Sequence, residues 1–206
     1  MNLWIAITNW IVIVGAVVLL TVIVANWLAT YRTPRAAPVG SSSWFVLPAW
    51  AQIGAGLGVI VLFVYIGQRL WIPLPLNLSP AISAILRAVG LTVFLTGLFP
   101  ALWAFFALGA MYGVSTSSAA QLRAQHRLIR HGPYAFVRHP MYLGYWLVFA
   151  GVTLVYHTWT PLLFLVMCAP SFYRRAQREE IALAAAFGAE WQAYTAHTKF
   201  LIPFAW

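Results

Sequence analysis

Two segments in the C-terminal half of the chain hold most of the side chains that could do chemistry. Residues 125–144 read QHRLIRHGPYAFVRHPMYLG and include three of the five histidines. Residues 174–206 hold all three carboxylates: Glu179, Glu180 and Glu190. A pocket between the two segments would combine cations, imidazoles, aromatic faces and anions. Carboxylates in such a pocket can accept hydrogen bonds from an ammonium group or a ribose diol.

The first segment has the features of a shaped site at the start of a helix. Pro140 suits the first helical turn, and Gly144 one turn later allows a backbone or a ligand to approach closely. The N-terminal end of a helix also favours an anionic group. A second interpretation stays open, in which the segment is a juxtamembrane basic loop that attracts anionic lipids.

The second segment also allows a structural interpretation. Arg175 and Glu179 have the i, i+4 spacing of a surface ion pair on a solvated interfacial helix. Three aromatic residues at i, i+4 and i+7 form a stripe that we expect to pack on the membrane or the bundle: Phe187, Trp191 and Tyr194. The histidines do not show the spacing of a zinc site, so no metal is predicted.

The composition requires that these segments sit on a membrane protein. Of 206 residues, 63% are hydrophobic and 7% are charged, which excludes a soluble globular domain. The net charge of +9 then points to anionic lipid headgroups and not to nucleic acid. No acidic residue precedes Glu179, which disfavours a proton relay through intramembrane carboxylates. The single cysteine, Cys168, excludes an intrachain disulfide.

Apolar runs predict an all-α integral membrane protein, a bundle of about five transmembrane helices whose last two form a helical hairpin. The runs are residues 3–28, 44–67, 81–111, 141–156 and 159–173. Ser79 and Pro80 are typical of a helix start. Residues 1–114 would form a three-helix region, and residues 115–206 a cofactor-binding region that ends in a cytoplasmic helical tail.

The distribution of basic residues predicts the orientation of this bundle. With five spans, one side carries ten of the twelve basic residues: Arg32, Arg35, Arg123, Arg127, Arg130, Arg138, Arg174, Arg175, Arg178 and Lys199. The opposite side carries Arg69 and Arg87. Because cytoplasmic loops are enriched in Lys and Arg, the N-terminus is predicted outside and the C-terminus in the cytoplasm.

The motifs of residues 121–206 resemble those of the isoprenylcysteine carboxyl methyltransferase family, which is related to the membrane phospholipid methyltransferases. The matching residues are His126-x-Leu128-x-x-His131-Gly132-x-Tyr134-x-x-x-Arg138-His139-Pro140-x-Tyr142-x-Gly144, then Arg175-x-x-x-Glu179-Glu180, then Phe187-Gly188-x-Glu190-Trp191-x-x-Tyr194, and Pro203. The first three helices match only as apolar spans.

The resemblance implies a multispan enzyme with no Rossmann domain that binds S-adenosyl-L-methionine (SAM) at the cytoplasmic end of its last helices. The cofactor-binding residues that it implies are His126, His131, Gly132, Tyr134, Arg138, His139, Pro140, Tyr142, Gly144, Glu179 and Glu180. The implied substrate is lipophilic or prenylated, enters from the bilayer and carries an isoprenylcysteine-like carboxyl group. Arg138 and Arg175 are the candidate catalytic residues, with Arg175 as an anchor for the acceptor carboxylate.

One departure from the family keeps other functions open. Eukaryotic members carry a longer acidic run where Gln177 and Arg178 precede the glutamate pair here. The alternatives are a phospholipid, amine or thiol methyltransferase, a membrane lipid reductase, and a non-catalytic membrane scaffold. For an amine or thiol acceptor a histidine such as His139 would remove a proton.

Overall fold

The computed structural model describes residues 3–32, 39–40, 47–115, 119–122 and 126–202. Arg35, Arg123 and Pro203, to which the sequence assigned roles, lie outside these ranges. These ranges contain six α-helices: α1 (Leu3–Ala29), α2 (Ala49–Arg69), α3 (Pro80–Leu108), α4 (Pro140–Tyr156), α5 (Trp159–Phe187) and α6 (Ala189–His197). Single 3-10 turns extend α1 over Thr30–Arg32 and α3 over Gly109–Met111, and a further 3-10 turn covers Gly132–Ala135.

Three helical segments are long and apolar enough to cross a membrane. They are Leu3–Arg32, Ala49–Arg69 and Pro80–Met111. The helix Pro140–Tyr156 is apolar but shorter, and α5 carries its charges in its C-terminal half. The described helices therefore support an integral membrane protein, while the count of five spans and the orientation stay predictions.

The start of α3 confirms the predicted capping pair. The hydroxyl of Ser79 accepts a hydrogen bond from the Ile82 amide at 3.3 Å, and Pro80 occupies the first turn. A capping hydroxyl satisfies one of the amides that have no partner inside the helix. The third helix therefore begins at the predicted residues.

The prediction of a single aromatic stripe is corrected at the C-terminal end. The fifth apolar run ends at Tyr173, but its helix runs on to Phe187, because residues 174–187 are good helix formers without an interruption. It ends where Gly188 adopts a positive φ of 48°. The predicted stripe is therefore divided between two helices, with Phe187 in α5 and Trp191 and Tyr194 in α6.

The helices confirm the all-α class, and a small antiparallel sheet that the sequence did not predict accompanies them. Its strands are β1 (Val39–Gly40), β2 (Val114–Ser115) and β3 (Ala119–Gln121), in the order β1-β3-β2. Val39 pairs with Ala120, and Val114 with Gln121. Strands of two or three residues carry too short a pattern to be recognised in a sequence.

Helices α3 and α4 form the closest contact of the bundle. A Cβ atom built on Gly97 would lie 2.7 Å from the carbonyl oxygen of Gly144, and one on Gly151 would lie 2.4 Å from the backbone nitrogen of Phe94. Small residues let helix backbones touch, which is the main source of helix association inside a bilayer. Phe94 and Val155 are completely buried at this glycine seam.

Contacts at the helix ends show which loops lie together at each end of the helical bundle. On one side the loop after α2 pairs with the turn between α4 and α5, with the Leu74 amide donating to the His157 carbonyl at 2.7 Å. Arg87, near the start of α3, bonds Asn9 near the start of α1 at 3.3 Å. The sheet, the 3-10 turn at Gly132–Ala135 and the end of α5 lie at the other side, which carries most of the basic residues.

Candidate functional site

A cavity of about 500 Å³ connects the two chemistry-bearing segments with the helices below them. Its polar end is lined by His126, Tyr134, Arg138, His139, Tyr142, Arg175 and Glu179. Its apolar end is lined by α1 and by the middle of α4, through Ala16, Leu19, Leu20, Ile23, Val148 and Phe149. The cavity therefore offers an amphiphilic space, charged at one end and apolar within the bundle.

Four side chains form an ion cluster at the polar end. The Nε of Arg138 donates to Glu180 Oε1 at 2.6 Å. The His139 ring lies between the two glutamates, with Nε2 at 3.2 Å from Glu180 Oε1 and Nδ1 at 3.6 Å from Glu179 Oε2. The adjacent glutamates of α5 therefore hold the residues at the start of α4.

The chain after α6 closes over this cluster. The Arg138 guanidinium donates to the Thr198 carbonyl, and the Arg138 and His139 amides donate to the carbonyls of Lys199 and Phe200. The Phe200 ring packs edge-on against His139 with centroids 4.9 Å apart. This strand-like pairing fixes the chain after α6 against the ion cluster.

The ion cluster shifts the pKa values of two of its members. Burial alone would lower the pKa of His139, but the hydrogen bonds and charges of Glu179 and Glu180 outweigh burial and leave this pKa raised. Burial would raise the pKa of Glu180, but His139 and Arg138 outweigh it and leave that pKa lowered. Both shifts favour the ionised cluster at neutral pH.

Two buried donors of the cavity lack a partner within the described part of the chain. They are the Tyr134 hydroxyl and the Arg175 Nε. Burial and the nearby Glu179 raise the pKa of Tyr134 well above its ordinary value, so its hydroxyl stays a donor. Because buried polar groups are nearly always hydrogen-bonded, donors of this kind at a cavity wall indicate a polar ligand.

Aromatic rings line the cavity where its polar end meets its apolar end. The Tyr142 ring stacks on Phe172 of α5 at 5.4 Å with an interplanar angle of 20°. Its hydroxyl donates to Glu179 Oε1 at 2.5 Å. The aromatic faces of Tyr142 and Phe172 and the Glu179 carboxylate are thus fixed relative to one another.

The remaining sequence-predicted site residues lie outside the cavity lining. Glu180 sits behind His139, and His131 is exposed. Gly132 has a φ of +63°, and a Cβ there would lie 3.2 Å from Trp103 Nε1. Gly144 packs against α3, and Pro140 is buried at the first turn of α4. Their cofactor-binding roles stay predictions, and backbone geometry or packing accounts for both glycines.

The sequence did not identify several residues that line the cavity. Trp191 and Tyr194 were interpreted as a packing stripe, yet both line it, and the Tyr194 hydroxyl donates to the Tyr134 carbonyl at 2.7 Å. Tyr112 and Tyr145 also line it, and burial raises the pKa of Tyr112 to about 12. The spacing of the stripe could have indicated that Trp191 and Tyr194 line the cavity. A single tyrosine next to an apolar run gives no such indication.

The comparison with known families agrees with this geometry. Residues 88–185 match the isoprenylcysteine carboxyl methyltransferase (ICMT) family. The match begins in α3 and ends in α5, so it contains the ion cluster, Tyr134 and Arg175. It confirms the resemblance predicted from the motifs and implies a membrane methyltransferase. No curated protein matches the chain.

Proposed function

We propose that this protein is a SAM-dependent methyltransferase that methylates the carboxyl group of a lipophilic, isoprenylcysteine-like acceptor. The observation that carries the proposal is the amphiphilic cavity, whose polar end lies within the ICMT-family segment. A soluble, charged cofactor and an apolar acceptor need a site with these two ends.

The residues present suit SAM, which combines an amino-acid group, a ribose diol and an adenine. Glu179 is placed to accept hydrogen bonds from the ammonium group or the ribose hydroxyls. The unpartnered Tyr134 hydroxyl is a donor for a carboxylate or a ring nitrogen. Two donor groups of Arg138 are occupied by Glu180 and Thr198, so we assign Arg138 chiefly to positioning the ion cluster.

Bound SAM would supply an electrophilic methyl group, to whose carbon an acceptor oxygen would bond in line while the carbon–sulfur bond breaks and S-adenosylhomocysteine leaves. Arg175 lines the cavity and would hold the acceptor carboxylate, since its buried Nε has no acceptor among the described residues. The apolar and aromatic walls would exclude water and orient the acceptor, and orientation supplies a large share of the acceleration when no proton must be moved.

The state of His139 favours a carboxylate over an amine or a thiol as acceptor. An amine or thiol has to lose a proton, which requires a neutral base in reach. His139 is held between two glutamates with a raised pKa, which favours its protonated form. A carboxylate needs no base. The family match likewise supports methyl transfer over lipid reduction or a scaffold role.

Calorimetry of purified protein with SAM, S-adenosylhomocysteine and NADPH tests the cofactor. We expect both adenosyl compounds to bind and NADPH not to. Glu179→Gln and Tyr134→Phe should each weaken SAM binding by about tenfold, since a hydrogen bond to a charged group contributes roughly 1.5–3 kcal/mol. Tyr134→Phe should not lower the thermal stability of the apo protein, because its hydroxyl has no hydrogen-bond partner among the described residues.

Glu190→Gln is the matched control for Glu179→Gln. Glu190 pairs with Arg130 at 3.3 Å on the exposed surface and does not line the cavity. It should bind SAM like the parent. Parent protein that is folded yet binds neither adenosyl compound would overturn the proposed function.

The acceptor is tested with radiolabelled SAM and N-acetyl-S-farnesyl-L-cysteine. Arg175→Gln should abolish or strongly reduce methylation while the SAM affinity stays near that of the parent. Equal loss of SAM affinity would place Arg175 at the cofactor instead of the acceptor. An amine or thiol analogue that is methylated faster than the carboxylate would reject the acceptor class.

A further inference from the structure

A second group of polar side chains lies at the end of the bundle opposite the ion cluster. Arg87, in the second turn of α3, donates to the side-chain carbonyl of Asn9, in the second turn of α1, at 3.3 Å. His157 forms the turn between α4 and α5. Burial, and then the charge of the nearby Arg87, lower the pKa of His157. Asn9, Arg87 and His157 are called the Arg87 cluster below.

The Arg87 guanidinium has no carboxylate partner in the described part of the chain. The ion cluster contains two of the three carboxylate side chains of the protein, and the third pairs with Arg130. A guanidinium has five N–H donors, and among the described residues only Asn9 accepts a hydrogen bond from this one. A half-buried arginine whose one partner is neutral keeps donors for an oxyanion, which its planar fork binds through two oxygens.

His157 adds a second donor that has no partner. Its amide donates to the Thr153 carbonyl at 2.8 Å, and its carbonyl accepts from the Leu74 amide at 2.7 Å, so the backbone of this turn is held on both sides. Its Nε2 is buried and has no hydrogen-bond partner among the described residues. Because buried polar atoms nearly always have a partner, this ring nitrogen beside an arginine without a carboxylate indicates a ligand with oxygen atoms.

Exposed tryptophans place the Arg87 cluster at the level of the lipid head groups. Four tryptophans at this end of the bundle are 40% to 67% exposed: Trp4, Trp10, Trp71 and Trp159. Tryptophan is enriched where a bilayer meets water. Trp10 directly follows Asn9, and Trp159 lies two residues after His157. The phosphate groups of phospholipids lie at this level, whereas a soluble anion would have to leave water to reach it.

We propose that the Arg87 cluster binds the phosphate group of a phospholipid at the end of the bundle opposite the ion cluster. The guanidinium would hold two phosphate oxygens, and the Nε2 of His157 would donate to the same group. One helical turn further into the bundle, Val12 and Leu91 belong to the hydrophobic core, so the bound head group would cover the junction of α1, α3 and α4. Arg87 also lies outside the ICMT-family segment.

Arg87→Gln tests the proposal in the delipidated full chain, purified in dodecyl maltoside. We expect dioctanoyl-phosphatidylglycerol to bind the parent saturably in calorimetry and to bind this variant at least about tenfold more weakly, because the variant loses hydrogen bonds to a charged group. Dioctanoylglycerol, which lacks the phosphate, should bind the parent at least about tenfold more weakly than the phosphatidyl compound. Binding of both lipids with equal affinity would overturn the proposal.

Two further variants keep the test valid if Arg87→Gln does not fold. Arg87→Lys retains the charge but not the planar fork, and should weaken lipid binding about threefold or more. His157→Asn removes Nε2, and asparagine tolerates the left-handed backbone of this turn, where φ is 50°. This variant should also weaken lipid binding about threefold or more. Unchanged affinity in the folded variants would overturn the proposal.

Arg69→Gln is the matched control. Arg69 lies at the same end of the bundle as the last residue of α2, is exposed and stands 5.2 Å from the centroid of the Tyr65 ring. The control should bind the lipid like the parent. An affinity loss equal to that of Arg87→Gln would reduce the effect to general charge attraction and overturn the site.

Inorganic phosphate separates the two sources of a phosphate group. We expect it to displace the phosphatidyl compound only at far higher concentration. Displacement at similar concentration would assign the site to a soluble anion and overturn the lipid. The proposal does not rest on the proposed function, since Arg87→Gln should bind S-adenosylhomocysteine like the parent. A parent that binds the lipid but no adenosyl compound would contradict the proposed function alone.

Discussion

The two faces of α4 differ in how they meet the neighbouring helices. Toward α3, Gly144 and Gly151 bring the backbones into contact, with no room for a side chain. Toward α5 and α1, the rings of Tyr142 and Phe149 stand between the helices and border the cavity. One face of α4 is therefore fully packed against α3, and the other face borders the open, amphiphilic cavity.

The difference shows how a membrane protein keeps a cavity open without losing its shape. Association at the seam is strong because backbone atoms touch and few rotamers are fixed. The seam can then hold α4 in place while the other face carries bulky rings that do not close the space. The site residues at the start of α4, including His139, take their position from this seam.

The largest expected effect comes from filling the glycine seam. Gly151→Leu should destabilise the protein by more than about 3 kcal/mol or prevent folding, since overpacking against backbone cannot be relieved by a rotamer change. A Cβ at this position would already lie 2.4 Å from Phe94 N. Thermal unfolding in detergent, followed by size-exclusion chromatography, measures the loss.

Gly58→Leu on α2 is the control for this variant, because among the described residues nothing beyond its own stretch of helix lies within 4 Å of a Cβ built there. It should unfold at the temperature of the parent. If both leucine variants were equally stable, the seam would not be the element that fixes α4.

A smaller effect is expected on the cavity side from Glu180→Ala. The substitution leaves Arg138 and His139, with side chains 14% and 4% exposed, without their shared carboxylate. We expect a loss of about 2 kcal/mol, because unpaired buried charges are costly. A loss of SAM binding with unchanged thermal stability would instead show that Glu180 acts directly on the cofactor.

The smallest effect is the pH dependence of the ion cluster. Because the pKa of His139 is raised, its stabilising contribution is complete below about pH 6.5 and is lost as the pH rises through the folded-state value. The lowered pKa of Glu180 acts oppositely, so its contribution is present above about pH 4.5 and is lost as the pH falls through the folded-state value.

His139→Gln isolates the first of these contributions. The difference in unfolding temperature between the parent and this variant should shrink when the pH is raised from 6 to 9. A constant difference over that range would mean that His139 does not titrate between pH 6 and 9, which would contradict this prediction.

The sequence predicted those parts of the fold and site that rest on local patterns. Apolar runs located the helices, and Ser79 with Pro80 located the start of α3. The conjunction of an Arg-His-Pro motif with a later Glu-Glu pair indicated the family, although the residues are about forty positions apart. Each of these features can be recognised within one short stretch of sequence or from a known motif.

Other features depend on contacts between distant residues, which no window contains. The parallel pairing of Val137 with Lys199 brings the C-terminal segment against the ion cluster. The cavity-lining role of Leu20 depends on where α1 docks, and the continuation of α5 past Tyr173 changes which residues face the cavity. Gly144 shows the same limit, since a glycine that suits a ligand and one that suits a helix crossing look identical in a sequence.

The uninterrupted course of α5 past Tyr173 has a further consequence. The same helix carries Phe172 at the aromatic wall and Glu179 at the polar end of the cavity. They are seven residues apart, which is about 10 Å along the helix. The distance between a bound tail and a bound head group is then a property of the helical repeat and not of any loop. Inserting or deleting one residue between Phe172 and Glu179 would rotate one side chain relative to the other by about 100° around the helix axis.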